Sequence, residues 1–359
     1  MSDGSNPTAP QTGNPGGKDQ PDITQKIYSG RIRRWRFVLL AILSTGVTAA
    51  IVAGAGAGKI ADVFSDIGWF GVLHILSLYT LGQLLRAARF TVCLAPPRPA
   101  LPRMFAVVCM HQFLNHILPA RLGELSFPLL ASRYADIKAA TATRLLIVIR
   151  IYELVVLGIF FLVASCSLLI RAEHSMLSTG IIWAAALLVL LALLLPLAMP
   201  TIVAAARRVL ERMPVAIWQN SGLRIRMLVY LDALHAEFRR PRSLWETASV
   251  LLFSFLIWSV LFWINYQVLR YAGIDVTFLD AIVGSSFANV SQVLPLNTFG
   301  SIGSLEAGWT FGFVLLGVPA RAALASGFAL HAIGIAFLSV AATTAWLFFQ
   351  RKPNSGQQS

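Results

Sequence analysis

Asn115, His116, Arg121 and Glu124 fall within ten residues of an otherwise apolar stretch, with Pro119 and Gly123 between them. Together they bring an amide, an imidazole, a guanidinium and a carboxylate into one short segment. A guanidinium is a planar fork that matches the oxygens of a phosphate or carboxylate. Arg121 is therefore a candidate anion ligand, or an ordinary basic residue at the inner edge of a membrane. Farther on, Arg150 and Glu153 stand three residues apart, and Glu306 and His331 follow in the second half of the chain. An ionisable group at the centre of a bilayer costs at least about 2.5–3.5 kcal/mol, so such groups face a protein interior or a cavity. Arg150 is expected either to pair with Glu153 along one helix face or to bind an anion. Glu124 and Glu306 can hold a proton, a cation or an amine, salt-bridge the arginines, or accept exposed backbone N–H groups. His116 and His331 either titrate near neutral pH or serve as satisfied hydrogen-bonding groups.

These residues need a scaffold that puts broken backbone at membrane depth. Pro119 lacks an N–H and clashes with the preceding turn, so it must end any helix that reaches it. Gly123 adds backbone freedom. The flanking apolar arms, Met104–Leu114 and Leu125–Leu130, are each too short to span a bilayer. A broken, charged segment between short arms reads as a re-entrant hairpin, tolerated only where it is buried in protein or lines a polar cavity. The pattern recurs. Phe278–Val293 forms an apolar arm, Leu294–Glu306 breaks it with Pro295, Gly300 and Gly303 in a tight turn, and a short arm runs on to Leu316. Glu124 precedes Arg150 by 26 residues and Glu306 precedes His331 by 25. Two like units of opposite topology would form an inverted repeat, with binding at their interface.

The totals agree with a membrane setting. Of 359 residues 57% are apolar and 13% charged, against about 25% charged in soluble domains, and the mean hydropathy is +0.70. The expected fold is an all-α polytopic membrane protein with six spans plus two oppositely oriented hairpins. The spans are expected at about 37–57, 67–85, 139–170, 177–198, 248–269 and 322–349. Residues 1–34 read as a disordered tail, 35–350 as the membrane domain and 351–359 as a second tail. Residues 203–246, with eight arginines and an apolar stripe, read as an amphipathic helix on the inner leaflet or a solvated linker. The net charge of +13 does not point to nucleic acid, because the basic residues lie between spans, as the positive-inside rule requires. With the N-terminus inside, 23 Lys and Arg fall inside and 4 outside, which places both termini in the cytoplasm. Cys93, Cys109 and Cys166 have no metal or redox spacing. No catalytic constellation, metal site or cofactor is expected.

The motifs Pro119-x-Arg121-x-Gly123–Glu124, Arg150-x-x-Glu153 and Pro295…Gly300-x-x-Gly303-x-x-Glu306 resemble the lysylphosphatidylglycerol synthase transmembrane-region family, also called the flippase-like domain family. The likeness runs from about residue 35 to 350. Where that family usually shows Arg-x-x-Asp, this chain has Arg150 and Glu153. The resemblance implies a stand-alone member without the soluble aminoacyl-transferase domain, in a bacterial-type cytoplasmic membrane. It implies handling or translocation of an anionic phospholipid or polyprenyl-linked lipid, with Arg121, Glu124, Arg150, Glu153, Glu306 and His331 toward the substrate. Asn115, Pro119, Gly123, Pro295, Gly300 and Gly303 would shape the hairpins. Envelope-biosynthesis enzymes are possible partners. A membrane scaffold for such enzymes, or a headgroup transferase using Glu124 or Glu306 as base, are the competing expectations.

Overall fold

The apolar runs fold as helices. The structure, a computed structural model, describes residues 57–171, 176–213, 221–241, 243–293 and 303–351. In chain order the helices are α1 (Ala57–Val92, kinked at Gly68), α2 (Leu101–Ile117), a 3-10 segment (Pro119–Leu125), α3 (Ser126–Tyr134), α4 (Ala139–Arg171) and α5 (Met176–Arg212). There follow α6 (Ser221–Arg239), α7 (Leu244–Tyr271), α8 (Phe278–Val293), α9 (Ser304–Leu315) and α10 (Ala320–Arg351). No strand occurs among the described residues. Five helical stretches are long and apolar enough to cross a membrane: Ser65–Val92, Ala139–Cys166, Val189–Arg212, Leu244–Tyr271 and Ala320–Gln350. Four of them match expected spans, and Val189–Arg212 overlaps the one expected at 177–198 only over its second half. The sixth, at 37–57, and the N-terminal tail lie outside the described residues. So do Pro295 and Gly300.

Two helical hairpins fill the gaps in that series. α2 ends at Ile117, Leu118 is extended, and Pro119 opens the 3-10 segment that leads into α3. α8 and α9 form the second. At 1.5 Å per residue, the 17 residues of α2 and the 16 of α8 reach about 25 Å, short of the roughly 30 Å hydrocarbon core.

The two halves pack alike. α1 and α7 lie antiparallel: His74 meets Tyr271, Gly82 faces Val260, and Arg89 bonds Ser254. Exchange α1 with α7, α2 with α8, α3 with α9 and α4 with α10, and the packing maps onto itself. α2 lies on α10 as α8 lies on α4, α10 on α1 as α4 on α7, and each hairpin on its own neighbours. The contact of α7 on α10 has its counterpart in the reach of Arg89 on α1 to Glu153 on α4. Two apolar cores sit at opposite ends of the α1–α7 pair. One joins Ala87 and Phe90 to Met104, Phe127, Leu145 and Val250. The other joins Ile67 and Ile75 to Ile264, Ala281, Phe313 and Ala329.

Close backbone approach holds the second hairpin together. A Cβ added to Gly312 would lie 2.2 Å from the Gly284 carbonyl oxygen, and one added to Gly308 would lie 2.7 Å from that of Phe287. Small residues four apart let helices approach to backbone contact. Gly312→Ala is expected to push α9 off α8 and cost about 1–3 kcal/mol. It should appear as a lowered unfolding temperature in detergent, whereas Ala329→Gly, which adds no bulk, should not reproduce the clash.

α5 and α6 stand outside this paired core. The helix carrying the fourth span does not stop near 198 but continues to Arg212 through Pro196 and Pro200. The polar segment is therefore a hairpin rather than one surface helix. α6 folds back antiparallel on α5, with His235 bonding the Pro200 carbonyl and Arg207 pairing with Asp232. Leu234 and Phe238 bury against Val148 and Val203, so the C-terminal part of the apolar stripe is spent on packing. Leu223 and Met227, at its N-terminal part, remain exposed.

Candidate functional site

Between the two halves lies an open-mouthed cavity of about 320 Å³, lined by α1, α2, α4, α7, α8, α9 and α10 and by Glu124 of the 3-10 segment. That volume is at the lower end of small-ligand sites, which run to roughly 300–1,000 Å³.

Glu153 is the centre of the charge network. Its Oε1 accepts from Arg89 Nη2 at 2.6 Å and its Oε2 from Arg150 Nη1 at 2.7 Å. Arg150 also donates from Nη2 to Glu124 Oε1 at 2.8 Å and from Nε to Glu124 Oε2 at 3.3 Å. Arg89 reaches Ser254 on α7 at 2.8 Å. One carboxylate thus ties α1 to α4, Arg89 adds α7, and Arg150 adds the break of the first hairpin. The other half repeats the device more simply. Glu306 Oε1 bonds His331 Nδ1 at 2.5 Å, and Glu306 Oε2 accepts the Gly303 N–H at 2.7 Å. Both similarly spaced partnerships, Glu124 with Arg150 and Glu306 with His331, are made in the structure.

The expected site residues fall as follows. Asn115, Glu124, Arg150, Glu153 and His331 line the cavity. Glu306 is 2% exposed and stands behind His331. The side chain of Arg121 lies outside what the structure describes. Pro119 opens the 3-10 segment, and Gly303 precedes α9 with φ at 88°, where glycine is favoured. Gly123 acts differently from the freedom expected of it. It is buried, and an added Cβ would stand 2.3 Å from the Asn115 Cα and 2.5 Å from the Leu114 oxygen. Its lack of a side chain lets the 3-10 segment lie directly on the last turn of α2.

The cavity also holds residues that the motifs do not mark. Arg86 and Arg89 look in the sequence like a basic flank that closes the second span. α1 instead continues to Val92, Arg89 is 1% exposed, and Arg86 lines the cavity. No ion pair or hydrogen bond engages Arg86 among the described residues. Tyr79, Gln83 and Arg86 form one stripe at helical spacing, and that polar stripe in an apolar helix is the signal that could have found them. Asn265 mirrors Gln83: it precedes Glu306 by as many residues as Gln83 precedes Glu124. Both line the cavity, with Asn289 and Trp258.

A family model described as the lysylphosphatidylglycerol synthase TM region matches residues 37–342. The chain belongs to this family. It is a multi-pass integral membrane protein related to lipid handling. Comparisons with curated proteins and with solved structures each gave no match. Within the family match lie all the charged pairs of the cavity, both hairpins and the paired halves around them.

Proposed function

We propose that this member of the lysylphosphatidylglycerol synthase TM-region family moves an anionic lipid headgroup between the leaflets of the membrane. Arg86 carries this reading. It is a guanidinium lining a cavity between two antiparallel halves, with no ionic partner among the described residues. Arg89 and Arg150 are paired with Glu124 and Glu153, and Arg86 lines the cavity beside this network without a salt bridge among the described residues. An unpaired cation in low dielectric is costly unless a ligand completes it. A phosphate does so with charge-assisted bonds.

The cavity has room for a headgroup and not for acyl chains, so the chains would stay in the bilayer while the headgroup crosses. In this reading the hairpins are re-entrant and enter from opposite sides, the termini are cytoplasmic, and one half rocks against the other. The charged pairs then fix each hairpin break to its own long helix, so that each half moves as a unit.

The test is a leaflet assay. Purified protein is placed in liposomes with a fluorescent anionic phospholipid, and dithionite reports how fast the inner-leaflet label becomes accessible. The expected result is faster exchange than in protein-free vesicles, lost in Arg86→Gln. Equal rates with and without protein would overturn the proposal and favour a non-transporting role.

A further inference from the structure

α6 carries two apolar stripes, and its own packing uses one. Tyr230, Leu234 and Phe238 face α4, where Tyr230 bonds Thr143 and the other two bury beside Val148. Asp232 and His235 face α5. On the side that remains, Ile225, Val229, Ala233 and Ala236 recur at helical spacing, and all four are exposed. Ile225 and Val229 are 61% and 63% exposed. Arg226 and Arg239 flank this second stripe, and both are exposed.

The charge around it is one-sided. Residues 203–240 hold seven arginines and three acidic residues. The acidic residues have partners within the protein: Glu211 and Asp232 share Arg207, and Glu237 accepts from Thr141 and pairs with Arg240 at 3.7 Å. Arg208, Arg212, Arg226 and Arg239 are exposed and make no ion pair among the described residues.

The hairpin stands at the membrane end of three spans. α6 connects the stretch ending at Arg212 to the one beginning at Leu244, and it packs on the start of the stretch Ala139–Cys166. Val148 lies about 14 Å along that helix, so the C-terminal half of α6 is level with a membrane-crossing stretch. On α5 the outward row of Leu191 and Leu195 runs on through Ile202 to Val209, all of them exposed. Leu244 and Trp245, which open α7, are strongly exposed, and tryptophan gathers at the interface between membrane and water.

We infer that the second stripe of α6 docks on a membrane surface of anionic phospholipid, with Ile225 and Val229 entering the interface and the flanking arginines on the lipid phosphates. This surface is apart from the cavity, and it stands whether or not the protein moves lipid. A helix with an apolar face bordered by basic residues binds such a surface through buried apolar area and through attraction to anionic lipid together. The arginine stems lie along the apolar surface and leave their charge among the phosphates. A neutral surface offers only the apolar part, so docking strengthens with the share of anionic lipid and weakens with salt. Because α6 is fixed on α4 and α5, docking ties those helices to one leaflet.

The experiment is hydrogen–deuterium exchange on the purified full chain in nanodiscs, one set of phosphatidylcholine and one of phosphatidylcholine mixed with phosphatidylglycerol. Amides of residues 223–230 are expected to exchange at least about tenfold more slowly in the anionic discs at low salt, and the difference should close at high salt. Arg226→Gln with Arg239→Gln, and separately Ile225→Ser with Val229→Ser, should each remove most of the difference. Leu234 and Phe238 are untouched in these variants, so continued protection of residues 234–238 shows that the hairpin is still folded. Exchange as fast in both discs as in detergent would overturn the inference and leave the surface to a protein partner. Exchange slowed equally in both discs would mark an apolar contact without charge recognition and overturn the assignment to anionic lipid.

Discussion

Glu153→Ala should cost about 3–5 kcal/mol of stability, because it leaves a buried guanidinium without its counter-charge. Arg89 has a side chain 2% exposed, and Glu153 is its only acidic partner among the described residues. After the substitution, only the Ser254 hydroxyl would remain to it. Arg150 would lose one of its two carboxylates, and α1 would lose its tie to α4. Neither guanidinium can discharge itself, since arginine stays protonated in proteins. The check is unfolding in detergent followed by tryptophan fluorescence, with the single and double variants compared. Arg89→Met with Glu153→Met removes both buried charges and fills the space with apolar atoms. It should recover most of the stability, because the loss comes from an orphaned charge rather than from a missing attraction. If the single variant unfolds like the wild type, Glu153 is not the pin of the three helices.

Arg86→Gln should act in the opposite way, on function and not on the fold. Because no salt bridge or hydrogen bond to a described residue engages Arg86, and Glu153 keeps Arg89 and Arg150, its removal orphans no partner and the unfolding temperature should stay level. Lipid exchange should fall by about 10- to 100-fold, the scale of one lost hydrogen bond to a charged group. Arg86→Lys keeps the charge but not the planar fork, so it should recover only part of the rate. A stable Arg86→Gln protein with normal exchange would remove Arg86 from the mechanism. A destabilised one would mean that Arg86 has a structural partner. Glu153→Ala and Arg86→Gln therefore form a controlled comparison: two charges in one cavity, one tested by stability and the other by transport.

Much of the scaffold was legible in the chain. Length and apolarity alone mark the helices that can cross a bilayer, because each must satisfy its own backbone and present apolar side chains. Pro119 ends α2 because a residue without an N–H cannot continue the ladder. The matched spacing from Glu124 to Arg150 and from Glu306 to His331 was also readable, and both partnerships form. A short hairpin arm followed by a long helix brings its break back to about the same height on that helix each time.

Tertiary structure decided what helical spacing leaves open. Arg86 and Arg89 stand one turn apart on the same helix, yet one is locked beneath Glu153 and the other lines the cavity. Periodicity says which residues share a face of a helix. It does not say which neighbour covers that face, and an apolar face looks the same whether it meets lipid or protein. Gly123 shows the same limit, for a close approach to the Asn115 backbone cannot be seen in a chain that does not yet know where α2 ends up. The polar break from Asn115 to Glu124 is marked by composition alone. Its role as one wall of a charged and amide-lined cavity was set by helices far away in sequence, α1 and α4 from its own half and α7, α8 and α10 from the other, because only their packing brings the remaining walls to it.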